Sequence, residues 1–167
     1  MNAKAAPTFT PVDANDYRER AGNENGAPIV AAIDGSFASR AAVEAAVQLG
    51  AELNAPVVFV HVRRGPAGFL GTPVYEQRLT KTMARARNVL DGALELAAEA
   101  GVPAEGEILE GTPQRRIPEF AHDRGARLVI VGSRERKLGR SVSRAIARVT
   151  ERPVVVARRP YGLALAR

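Results

Sequence analysis

A chain of 167 residues, 46% of them apolar, is long enough to form one domain with a substantial buried core. It has no cysteine, which excludes disulfides, thiolate metal ligation and thiol catalysis. The net charge of +6 sits in the C-terminal quarter: residues 127–167 hold eleven Arg or Lys and two Glu, whereas residues 1–126 hold thirteen basic and sixteen acidic residues.

Residues 1–26 are rich in Pro, Asn, Asp and Glu and have no hydrophobic period, which predicts a flexible N-terminal arm. The first twenty residues carry a single Lys and no apolar segment, so they do not read as a secretory signal. No apolar run is long enough to cross a bilayer, and the chain is expected in the cytoplasm without membrane contact.

Residues 28–34, PIVAAID, form a short β-branched apolar run, the first predicted strand. Ser36 then caps a helix whose apolar positions Ala42, Ala45, Ala46, Leu49 and Leu53 recur at helical spacing. Residues 56–62, PVVFVHV, are the second strand. A Gly- and Pro-containing loop leads to the longest helical pattern, with Leu79, Met83, Ala86, Leu90, Ala93 and Ala97 as its buried stripe and Gly101 as its end. VPAEGEILEG is a third, less apolar strand, expected near a sheet edge. Thr112 and Pro113 start the next helix, and Pro118 is expected to kink or break it. RLVIVG is the fourth strand, GRSVSRAIARVTE the last helix and PVVVA the fifth strand. Residues 160–167 form a C-terminal tail.

Five Val/Ile-rich strands alternating with four helices predict a parallel, doubly wound α/β sheet with helices on both faces. Such a sheet reverses its winding once, and ligands bind at that reversal, beyond the C-terminal strand ends. Asp34 and Gly132 each end a buried strand and enter a helix-capping turn, so the reversal is expected between the first and fourth strands.

The stretch from PIVAAIDGS to VVFVHV, together with EILEGTP, LVIVGSR, SVS and RPVVVARR in that order and spacing, resembles the universal stress protein family over residues 27–159. The resemblance implies a Rossmann-like sheet in the order 3-2-1-4-5 and a homodimer paired through the last strand, at Val154, Val155 and Val156. One branch of the family binds ATP with a motif of the form G-x2-G-x9-G-[ST]; another lacks it. Here Gly132 matches the first glycine, Glu135 replaces the second, Arg140 replaces the third, and Ser141 matches the Ser/Thr. Four residues separate Glu135 and Arg140 where the motif has nine. Glycines let backbone amides approach phosphate oxygens, so their loss weakens that mode of binding. Arg134, Arg136, Lys137 and Arg140 supply side-chain charge in its place.

Carried over residue by residue, the resemblance implies a nucleotide site at Asp34, the backbone of Val62, Gly132, Ser133, Arg136, Lys137, Ser141, Val142 and Ser143. ATP or another adenine nucleotide is the candidate ligand, and no cofactor follows with certainty.

Other chemistry is sparse. The chain has two histidines, His61 and His122, and no clustered acids, which argues against a metal site. A triad of Ser36, Asp34 and His61 is conceivable, but His61 ends an internal strand, where a hydrogen-bonded core residue is the simpler reading. In the last helix Arg140, Arg144, Arg148 and Arg152 recur every four residues, opposite Val142, Ala145, Ile146 and Val149. This arginine face reads first as a solvated surface. With Tyr161 as the basic region's one aromatic, specific nucleic-acid reading is not expected.

The sequence thus reads as a non-enzymatic binding and signalling module of the stress-protein type. Its first alternative is an adenine-nucleotide (ATP or AMP) binder of the same fold. A further alternative is a nonspecific binder of nucleic acid or an acidic partner through the last helix.

Overall fold

The computed structural model describes residues 9–11, 26–65, 72–133, 142–158 and 162–166. In chain order the elements are β1 (Phe9–Pro11), β2 (Ile29–Ala32), α1 (Phe37–Leu53), β3 (Val57–Arg63), α2 (Thr72–Glu99), β4 (Ala104–Glu110), α3 (Pro113–Asp123), β5 (Leu128–Gly132), α4 (Val142–Val149), β6 (Val154–Arg158) and β7 (Gly162–Ala166).

They form one sheet in the order β1-β7-β6-β5-β2-β3-β4. The five strands β2 to β6 are parallel and lie in the expected 3-2-1-4-5 order. Alternate residues on each strand point to opposite faces, and two cores result. Ile29, Ala31, Phe59, Leu128 and Ile130 pack under α1 and α2. Val30, Val58, Val60, Val129 and Val131 pack against Ile117 and Ala121 of α3 and Ile146 of α4. The winding reverses between β2 and β5, which neighbour each other with Ile29 opposite Leu128.

Small residues let α1 lie close to the sheet: Ala41, Ala42, Ala45 and Ala46 are all buried. Ser36 caps this helix, its hydroxyl accepting from the Ser39 amide at 3.3 Å. The stripe expected on α2 is buried at Ala86, Leu90, Ala93 and Ala97 and half-buried at Leu79 and Met83. Strand β4 is the sheet edge expected from its mixed composition. Arg124 at the end of α3 ties that edge down, with 2.8 Å contacts to Glu105 and Glu107 and its guanidinium 5.1 Å from the centre of the Phe120 ring.

Three expectations are corrected. Helix α3 runs from Pro113 to Asp123 without a break at Pro118. The proline forfeits one backbone hydrogen bond, and its burial offsets part of that loss. On α4, Val142 and Val149 are exposed, by 42% and 63%. This helix has eight residues, and Ser143 and Ile146 are the ones that reach the interior.

The third correction concerns the sheet edge. Strand β6 is not the last strand. The C-terminal tail returns as β7 and pairs antiparallel with it, Val155 opposite Leu165. Phe9–Pro11 of the N-terminal arm then pairs antiparallel with β7. An unpaired Val-rich edge carries a row of unsatisfied amides and carbonyls that favours addition of a strand. Here β7 supplies it, and β1 in turn pairs with β7.

Candidate functional site at the strand reversal

Two turns leave the sheet at the reversal. After β2 the chain passes Ile33, whose amide donates to the Val60 carbonyl at 2.9 Å, and reaches Asp34. Asp34 is exposed. Its Oδ1 accepts from the Ser36 amide at 2.9 Å, and its own amide donates to Ser39 Oγ at 3.0 Å. Gly35 between them has φ +75°, a conformation that suits glycine. These bonds hold the Asp34 carboxylate in the turn just beyond the C-terminal end of β2.

After β5 the chain passes Gly132 and Ser133. The Ser133 amide donates to the Ala157 carbonyl at 3.0 Å, so the sheet uses it and it is not presented to a ligand. Gly132 lies against the first turn of α1 at Ala38 with no room for a side chain. The sequence suggests this glycine as a phosphate-approach residue. The structure gives it a packing role as well.

The other expected site residues divide. Val62 lies on β3, one strand away from the reversal. It is half-buried and opposite Leu109, with its side chain against the core on the α3 and α4 face. Val142 is exposed at the start of α4, whereas Ser143 is buried, which turns its side chain away from solvent. Arg136, Lys137 and Ser141 lie outside the described residues, as does the rest of the basic loop. Asp34, Gly132 and Ser133 are therefore the expected residues that the fold brings to adjacent strand ends.

His61 is buried, with Nδ1 3.0 Å from the Ile33 carbonyl oxygen. That contact requires an Nδ1–H donor. Burial is the main cause that lowers the basicity of the ring, and the positive charge of Arg85 adds to it. The bond to Ile33 and the charge of Asp34 oppose it without reversing the direction. Among the described residues the ring has no bond to Ser36, whose hydroxyl caps α1. No triad is assembled. No group of three or more His, Asp or Glu side chains among the described residues could hold a metal ion.

A basic cavity lies beside the end of β3. Arg63 and Arg64 at the end of β3 meet Arg78, Leu79, Lys81 and Thr82 of α2 around a cavity of about 230 Å³. The spacing of Arg78 and Lys81, three apart on one helix face, is the local signal; the adjacency to Arg63 and Arg64 is not local.

Comparison with known proteins places these observations. A model of the universal stress protein family matches residues 27–158. The universal stress protein YxiE of Bacillus subtilis is 32% identical over 145 residues, covering 78% of this chain and 97% of that protein. A crystal structure of a universal stress protein family member from Burkholderia pseudomallei superposes with a TM-score of 0.66 at 25% identity, covering 78% of this chain and 94% of the other. A universal stress protein crystallised in complex with cAMP superposes with a TM-score of 0.61 at 25% identity, covering 79% and 96%.

Proposed function

Because the chain belongs to the universal stress protein family, we propose that it is a non-enzymatic signalling module that takes an adenine nucleotide in the crevice between β2 and β5. The observation that carries this reading is the placement of the exposed Asp34 carboxylate beside Gly132 and Ser133, at the point where the sheet reverses. The likeness to a relative that holds cAMP supports the ligand class.

A monophosphate fits this site better than a triphosphate. The Ser133 amide is committed to Ala157, and four residues between Glu135 and Arg140 enclose less than nine would. Phosphate affinity then rests on side-chain charge, chiefly Arg136 and Lys137, and is screened by salt. Chemistry on the bound nucleotide is not part of the proposal, since His61 is engaged with Ile33 and Ser36 with the cap of α1.

Calorimetry with adenosine, AMP, cAMP, ADP and ATP at low and high salt tests it. Saturable binding of AMP or cAMP at least as tight as ATP, weakened by salt and by replacing Arg136 and Lys137 with Ala, is expected. Absence of saturable binding by every adenine nucleotide would overturn the proposal. Tight ATP binding that ignores salt would overturn the side-chain mode.

A further inference from the structure

We infer that the cavity between the end of β3 and the N-terminal half of α2 is an anion site for a phosphate group, at a different strand end from the crevice between β2 and β5. Four cationic side chains, Arg63, Arg64, Arg78 and Lys81, line it, together with Leu79 and Thr82. Among the described residues no acidic one lines it. Cations gathered around one concavity repel each other, and a dianion placed among them relieves that repulsion.

Arg63 is the anchor. It is the last residue of β3, in register with Glu110 on β4. Its Nη2 donates to Glu110 Oε2, which fixes the plane of the guanidinium. The side chain is 14% exposed, and its Nη1 is buried with no hydrogen-bond partner among the described residues. A buried charged donor without an acceptor is costly, and an anion in the cavity would lower that cost through its field rather than by direct contact, since Nη1 itself is closed to solvent. Arg64, Arg78 and Lys81 are exposed and make no ion pair among the described residues. Their charges therefore remain available to a ligand. The Thr82 hydroxyl donates to the Arg78 carbonyl at 2.8 Å, so it shapes the wall rather than donating to the anion.

Size selects the ligand. Pockets for drug-sized molecules run from about 300 to 1,000 Å³, and 230 Å³ lies below that range. A phosphate or diphosphate group fits within it. The phosphate can arrive free or as part of a larger molecule whose remainder lies outside the cavity.

Inorganic diphosphate titrated into the full chain, followed by calorimetry, tests the site. One saturable site is expected. Replacing Arg78 and Lys81 together by Ala should weaken it by about tenfold or more, since both are exposed and their loss spares the core. Glu110→Gln should strengthen it by releasing Arg63, whereas replacing Arg87 and Arg148 by Ala should leave it unchanged. Asp34→Asn should also leave it unchanged, which separates this site from the crevice. AMP titrated into the Arg78/Lys81 variant identifies the source. A loss equal to that for diphosphate means that the site holds a nucleotide-borne phosphate, and unaltered AMP binding means that it holds a free anion. Absence of saturable diphosphate binding, or equal weakening by the Arg87/Arg148 control, would overturn the inference.

Discussion

A β-carbon on Gly132 would stand 2.2 Å from the carbonyl oxygen of Ala38 and 3.1 Å from the Ser39 amide nitrogen. The end of β5 and the first turn of α1 thus touch backbone to backbone, and no side-chain rotation can relieve the contact. Gly132→Ala must lift α1 from the sheet. A loss of about 1–3 kcal/mol or more is expected, read as a lower denaturation midpoint. Gly92 in the middle of α2 is the control, because nothing lies within 4 Å of its would-be β-carbon. Gly92→Ala should raise stability by about 1 kcal/mol, because alanine is the better helix former. An unchanged midpoint for Gly132→Ala would refute the close approach.

Asp34 serves the turn and, by the proposal above, the ligand, and two substitutions separate the roles. Asparagine keeps an oxygen to accept from the Ser36 amide but carries no charge. Asp34→Asn should hold stability within about 0.5 kcal/mol, whereas Asp34→Ala should lose about 1 kcal/mol with the turn bond. Both should weaken nucleotide binding by about tenfold. Undiminished affinity in Asp34→Asn would remove this carboxylate from the site.

His61 makes stability depend on pH in a definite direction. Its basicity in the folded chain is depressed below the ordinary value of 6.5, mainly by burial. The unfolded chain therefore binds the proton more readily as pH falls. The stability that the neutral ring contributes is fully present above 6.5 and is lost as pH falls below that value toward the depressed folded one. Melting temperature measured from pH 8 to pH 5 should fall, and His61→Gln should flatten that part of the curve. An identical slope in the variant would assign the pH dependence to other groups.

Strand β6 is paired on both sides within one chain, by β5 and by β7. Pairing with a second copy through Val154, Val155 and Val156 requires β7 to leave. A chain ending at Arg158 should therefore associate more tightly than the full chain in sedimentation velocity, since its Val-rich edge is uncovered. Equal association constants for the two would show that β7 does not guard this edge.

The candidate site was only partly legible. Asp34 and Gly132 stand out because each ends a run of buried β-branched residues just before a helix start, and the winding rule places such ends together. Val62 carries no comparable signal of its own. Its resemblance-based role concerns a backbone atom, and its side chain is core. Ser143 falls on the inner side of a short helix, an orientation set by how α4 rests on α3 and β6 rather than by the SVS motif.

The sequence by itself determined the order of the five parallel strands and the four helices, the doubly wound class and the faces of α1 and α2. These follow from periodicity and capping, which act between residues a few positions apart. Only the tertiary structure decided that β7 covers β6 and β1 covers β7, that Gly132 lies against Ala38, and that Arg63 and Arg64 share a cavity with Arg78 and Lys81. Each of these joins residues far apart in the chain. Such contacts depend on how close the elements pack and which edges are left unpaired, and no local pattern of residues encodes either.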